Sequence, residues 1–116
     1  NFTISGEVIH GNKLGRTIGF PTANIKVEKH KIIPKAGVYL VKVNVNEKAF
    51  SGMLNIGVKT NKIEVNIFDF SNDLYGDKIV VEFLAWIRDP MDFNSNLELK
   101  IQLEKDEKKC RSILFN

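Results

Sequence analysis

Between Phe2 and Ile87 the apolar residues recur in short alternating runs, and each run stops at a cluster of Gly, Pro, Asn or Asp. Alternation with a period of two is the mark of half-buried strands. Phe2, Ile4, Gly6 and Val8 share one face of a first strand over 2–9, with Thr3, Ser5 and Glu7 on the other. Ile25 and Val27 mark a short second strand. Tyr39, Val41, Val43 and Val45 line one face of 38–45, opposite Leu40, Lys42 and Asn44. Asn46-Glu47 is a tight connection to the next strand, 48–54, so 38–54 is expected to be a hairpin. Ile63, Val65 and Ile67 form an apolar face of 63–70, with Glu64, Asn66, Phe68 and Phe70 opposite. Ile79, Val81, Phe83 and Ala85 do the same for 78–87. The period then changes. Ser95-Asn96-Leu97-Glu98 is a capping box, and Leu99, Leu103, Cys110, Ile113 and Leu114 fall on a helical stripe over 96–114. The 105–109 charge run is read as its solvated face. About six strands followed by one helix predict an all-β, compact barrel over about 2–88, because closing a sheet removes its exposed edges.

The totals exclude several classes. A chain of 116 residues with 43% hydrophobic and 27% charged residues is the size and composition of one globular domain, here 1–116. Seventeen Lys and Arg against 14 Asp and Glu give a net charge of +3, which suits anionic ligands but is far from a nucleic-acid-binding profile. The single cysteine, Cys110, rules out an internal disulfide and a cysteine zinc site within one chain, and favours the cytoplasm. Its place on the apolar stripe marks it as a small core residue rather than a nucleophile. No apolar stretch approaches about 18 residues, so no membrane span is expected, nor is a signal peptide recognised. The chain starts at Asn1 without Met, which allows it to be an excised piece of a longer protein.

The chemistry concentrates in 15–24, GRTIGFPTAN. Gly15 and Gly19 let the backbone bend and approach a ligand closely. Arg16 offers a permanent positive charge to phosphate oxygens. Pro21 biases Phe20 towards an extended conformation, and continued extension would point Thr22 and Asn24 the same way. Their oxygens are hard, neutral ligands of the kind Mg²⁺ accepts alongside water and substrate phosphates. Spacing alone also fits an ordinary bend. Glu64 is a carboxylate on a strand beside aromatic residues, which suits either a solvent-facing side chain or a general base. Lys13 fits a phosphate contact or a solvated loop, and Trp86 and Tyr75 fit ring stacking or core packing. His10 is expected to be a strand-end side chain and His30 a solvated one.

GRTIGFPTAN resembles the riboflavin kinase (flavokinase) signature G-R-x-x-G-x-P-T-A-N at every fixed position. The segments IHGNKL, AGVYLVKV, NIG, IEVNIFDF, DLYG and IRDPMDF follow in the order of that family, so the resemblance covers nearly the whole chain. It implies a six-stranded Greek-key barrel with the helix packed beside it. The implied reaction transfers the γ-phosphate of ATP to the ribityl 5′-hydroxyl of riboflavin, giving FMN and ADP. The resemblance further implies that Gly11, Lys13, Gly15, Arg16, Gly19, Pro21, Thr22 and Asn24 hold the nucleotide phosphates, and that Thr22 and Asn24 hold Mg²⁺. Glu64 occupies the position of the proposed catalytic base, while Arg88, Met91 and Phe93 fall on the flavin side, with 88–93 and the helix start as a candidate lid. In many bacteria this domain follows an FMN adenylyltransferase domain, which is then the expected fused partner. Neither nucleic acid nor a membrane is an expected partner.

Three positions depart from the family pattern. Asn66 stands where a His is usual, Pro90 where a Glu is usual, and Val58-Lys59-Thr60 where Arg-Pro-Thr is usual. No Walker A loop and no protein-kinase motif set occurs, so a kinase reading rests on 15–24. Two rivals stand beside it: a non-catalytic small β-barrel binding flavin, nucleotide or nucleic acid, and an inactive flavokinase-like protein.

Overall fold

In the computed structural model, which describes residues 2–12, 16–27, 32–58, 62–70 and 74–115, six strands close into an antiparallel barrel and one long helix follows. The strands are β1 (Thr3–Asn12), β2 (Thr22–Val27), β3 (Gly37–Val45), β4 (Lys48–Ile56), β5 (Ile63–Ile67) and β6 (Lys78–Arg88), and the helix is α1 (Asn96–Leu114). Around the barrel they run β1-β2-β5-β4-β3-β6. The three consecutive strands β3, β4 and β5 lie side by side, and β6 returns to the far side of β3, which is a Greek key.

The alternating apolar residues fill the barrel. Ile4, Val8, Tyr39, Val41, Leu54, Val65 and Val81 belong to one buried interior cluster. A second cluster lies between the barrel's outer wall and α1, where Phe20, Val38, Leu40, Met53, Phe68 and Ile87 pack with Cys110. Leu40, on the face opposite Tyr39, is therefore buried beneath the helix. The hairpin turn is as expected: Asn46 and Glu47 both take positive φ (49° and 69°), the conformation that matches strand twist in two-residue hairpins.

Several expectations need correction. The first strand runs past its expected end at residue 9 to Asn12; β2 starts earlier, at Thr22, and β4 continues to Ile56. Ala85 does not share a face with Ile79, Val81 and Phe83. Val41 pairs with Phe83 but Leu40 pairs with Ala85, so Leu84 is an extra residue, and Ile87 is another between Trp86 and Arg88. Each such bulge flips the later side chains to the other face, which sends Ala85 to the helix side. Phe70 likewise parts from Phe68. Strand β5 ends at Ile67, Asp69 adopts φ 58°, and Phe70 turns back onto the interior cluster against Phe50, ring centroids 4.9 Å apart.

The helix begins as expected, with Ser95 Oγ accepting from the Glu98 N–H at 3.1 Å. Its buried stripe differs from the apolar one. Ile113 is 39% exposed, whereas Asp106 is only 2% exposed. The 105–109 run is thus not simply a solvated face. Cys110 is fully buried, and burial first, then the Asp106 and Glu107 carboxylates, push its thiol up to about 11. It is a core residue, as its position on the stripe implied. Trp86 stands edge-on to Tyr39 with the rings 5.1 Å apart and carries the Lys35 ammonium 4.2 Å from its ring. A side chain at Gly37, whose φ is 146°, would collide with that indole. The Trp86 ring is a structural packing element.

Candidate functional site

Three strands meet at the site. Strand β2 pairs with β5 so that Asn24 faces Glu64, and β5 pairs with β4 so that Glu64 faces Asn55. Cross-strand partners share a face of the sheet. Glu64 is thereby flanked by two carboxamides, one from the signature and one from β4. Thr22, two residues before Asn24, donates its Oγ1 hydrogen to Glu64 Oε2 at 3.1 Å. Asn66 Nδ2 donates to the Pro21 carbonyl at 2.6 Å, which ties the end of the signature to β5.

The start of the signature is a turn. Residues 16–19 make one helical turn, with the Gly19 N–H donating to the Arg16 carbonyl at 3.2 Å, and Gly19 leaves it at φ 87°. The bend thus contains a helical turn that the sequence did not suggest. Arg16 is exposed on this turn, while Phe20 turns in to the cluster beneath α1. Gly11 lies in β1, paired with Ala23 beside the signature strand. Lys13 and Gly15 lie outside the described residues, as do His30, Lys59 and Thr60.

Thr22, Glu64, Asn66 and Asn55 line a cavity of about 670 Å³ on the outside of the barrel. The opposite wall is Arg88, Pro90, Met91, Asp92 and Phe93, with Leu99 and Leu103 from α1. Arg88, Met91 and Phe93 therefore face the same space as Glu64 and Thr22. Its size falls within the roughly 300–1,000 Å³ usual for small-molecule sites. Phe20 and Phe93 are the aromatic residues on its walls. Tyr75 and Trp86 are not, so the ring-stacking role considered for them has no support in the placement of their side chains.

A divalent cation is testable against the residues present. Asn24 is 7% exposed, and its Oδ1 is buried without a hydrogen-bond partner. Such an oxygen is costly unless something is bound to it. Thr22 Oγ1 lies two residues away on the same strand and the same face. Neutral oxygens of this kind fit Mg²⁺, which keeps waters and phosphates as its other ligands. The donor set fits the ion.

Sequence reasoning missed two residues that line the cavity and one that supports it from outside. Asn55 lines the cavity, and only the β4–β5 register reveals its place next to Glu64. Asn66 was set aside as a departure, yet it holds the signature in place. Asp106 grips Arg88 from the helix, with Nη2 to Oδ2 at 2.9 Å. Its signal was a carboxylate in the helix that follows an Arg-bearing strand, which no local pattern separates from a solvated one.

Comparison with known proteins identifies the family and the fold. The family model described as riboflavin kinase matches residues 1–114. The chain is 44% identical over 118 residues to the bifunctional riboflavin kinase/FMN adenylyltransferase of Bacillus subtilis, covering 94% of this chain and 37% of that protein. It is 43% identical over 117 residues to the protein of the same description in Escherichia coli, again covering 37% of it. The chain therefore spans well under half the length of these curated relatives. Among solved structures it resembles riboflavin kinase from Trypanosoma brucei, with a TM-score of 0.74, 26% identity, and 98% of this chain and 77% of that one covered. It also resembles a chain described as a macrolide-efflux protein from Streptococcus pneumoniae, with a TM-score of 0.86, 40% identity, and 94% and 38% covered. Among the described residues, no helix is long and apolar enough to cross a membrane. By family model, by sequence identity and by its closed six-stranded barrel, this chain belongs to the riboflavin kinase family.

Proposed function

We propose that the chain, as one kinase domain, transfers the γ-phosphate of ATP to the 5′-hydroxyl of riboflavin, with FMN and ADP as products. The observation that carries this reading is the Thr22–Glu64 hydrogen bond on one wall of a cavity whose other wall is the 88–93 segment. Phosphoryl transfer asks a protein for positioning, charge neutralisation and orientation of the nucleophile. The signature meets the first two needs. Arg16 and the Lys13 charge receive the phosphates, Gly11, Gly15 and Gly19 let the backbone approach them closely, Pro21 fixes the bend, and Thr22 and Asn24 hold Mg²⁺. When bound, the ion neutralises charge on the phosphate oxygens.

Glu64 meets the third need. Its Oε2 accepts from Thr22, so the carboxylate is held at a defined place on the cavity wall. There it accepts the proton of the flavin's ribityl hydroxyl as that oxygen attacks phosphorus. Arg88, Met91 and Phe93 receive the flavin side. The relatives' second activity belongs to a part of their length that this chain does not match, and a fused FMN adenylyltransferase domain is the proposed partner. The proposed setting is the cytoplasm, where ATP and riboflavin are both available.

Incubating the purified chain with riboflavin, ATP and Mg²⁺ and separating the flavins chromatographically tests the reading. FMN and ADP forming in equal amounts is the expected result. Riboflavin binding with no FMN formed would leave the non-catalytic flavin-binding barrel in its place.

A further inference from the structure

Asp106 lies on α1, outside the signature and outside β5, and it does not line the cavity. Its carboxylate is nonetheless almost entirely buried and is fully engaged. Oδ1 accepts from Arg88 Nε at 3.0 Å and from Gln102 Nε2 at 2.9 Å, and Oδ2 accepts from Arg88 Nη2 at 2.9 Å. A fork-to-fork pair of this kind fixes orientation as well as distance. The remaining arm of the same guanidinium, Nη1, donates to the Asp89 carbonyl at 3.1 Å. Its carbon stands 5.9 Å from the Phe93 ring centroid. Lys109, one turn further along α1, donates to the Ile87 carbonyl at 3.2 Å. One guanidinium thus joins the helix to the segment that leaves β6 and forms the far wall of the cavity.

A buried ion pair is a poor source of net stability, because desolvation offsets most of its attraction. An apolar pair would hold α1 on the barrel as well. What an apolar pair lacks is the directed third bond to the 88–93 backbone. We propose that Asp106 is a positioning residue for riboflavin: through Arg88 it sets the 88–93 wall against which the flavin binds. The inference rests on the kinase reading above and extends it to a residue remote from the cavity. Gln102 supports the same carboxylate and has a lesser part in the same role.

The test measures KM for riboflavin and for ATP separately, at a temperature where circular dichroism shows each variant folded. Asp106→Asn keeps the shape but places an amide where Arg88 needs an acceptor. It should raise the riboflavin KM by about tenfold or more, within the range expected when a positioning contact is displaced. The ATP KM should stay within about twofold of the unaltered chain, because the signature is untouched. In an Arg88→Met background the same change should add nothing to the riboflavin KM, since the residue through which Asp106 acts is gone. Loss of stability alone would not produce that pattern. An unchanged riboflavin KM in Asp106→Asn, or an equal rise in both backgrounds, would overturn the proposal. Should Asp106→Asn fail to fold, Gln102→Met takes its place: a rise confined to the riboflavin KM supports the proposal, and no rise overturns it. If the unaltered chain forms no FMN at all, the kinase reading falls and this inference falls with it. An active chain whose variants keep a normal riboflavin KM removes this inference only.

Discussion

Asn66 Nδ2 donates to the carbonyl of Pro21 at 2.6 Å, joining β5 to the residue immediately before Thr22. The bond explains how a signature that begins in a turn ends as a strand in register with Glu64. Removing it should loosen the phosphate side of the site before the flavin side. Asn66→Ala should lower stability by about 1–2 kcal/mol, the usual scale for a lost hydrogen bond with part of its desolvation cost. A thermal melt reads this as a drop of several degrees, and steady-state kinetics should show a higher ATP KM with riboflavin KM little changed. An unshifted melt together with an unshifted ATP KM would contradict this role.

Glu64→Gln retains an oxygen that can accept from Thr22 but cannot take up the hydroxyl proton. Turnover should fall by about 10²–10⁴-fold, the range for a positioned general base. Melting temperature and riboflavin affinity should stay close to those of the unaltered chain, because Glu64 faces the cavity and not the barrel interior. Near-normal turnover would return Glu64 to an ordinary strand side chain. Activity lost together with folding would make its role structural.

The orphaned Asn24 Oδ1 predicts an uncommon pairing of effects. Asn24→Ala removes a buried, unsatisfied oxygen, so the ligand-free chain should melt no lower than the original and up to a few degrees higher. The Mg²⁺ concentration for half-maximal turnover should rise by about tenfold or more, as expected for loss of one oxygen ligand from a sparse donor set. Thr22→Ala should raise the same Mg²⁺ requirement. A marked loss of apo stability in Asn24→Ala, or an unaltered Mg²⁺ dependence in both variants, would refute the assignment.

Cys110 makes stability depend on alkaline pH. Its thiol titrates at about 11 in the folded chain against 9.0 for the ordinary group. Above pH 9 the unfolded chain ionises the thiol while the folded chain holds it neutral, which favours unfolding. This contribution to stability is therefore intact below pH 9 and is lost as the pH rises towards 11. Urea melts across that window should show a steeper decline for the unaltered chain than for Cys110→Ala. At neutral pH the thiol should resist alkylation until the chain is unfolded. Identical pH slopes in the two proteins would show that Cys110 does not ionise on unfolding in this range.

Local pattern determined much of this protein. The period-two runs placed the six strands, Asn46-Glu47 placed the hairpin, and Ser95 with Glu98 placed the helix start, because each depends on residues within a few positions of one another. The signature 15–24 and Glu64 stood out as candidates through their resemblance to the flavokinase pattern, since residue type and spacing alone fitted an ordinary bend and a solvent-facing strand carboxylate equally well. What tertiary structure alone decided is which strands lie side by side and in what register. The β2–β5 and β4–β5 registers place Asn24 and Asn55 beside Glu64, across sequence separations over which periodicity carries no information. The bulges at Leu84 and Ile87 moved Ala85 to the other face, since one inserted residue inverts a period of two. Asp106 was read as solvated because a helix repeats its faces by spacing, and spacing does not say which neighbour will cover them. Only the closed barrel, bringing the end of β6 beneath α1, made Asp106 the buried partner of Arg88.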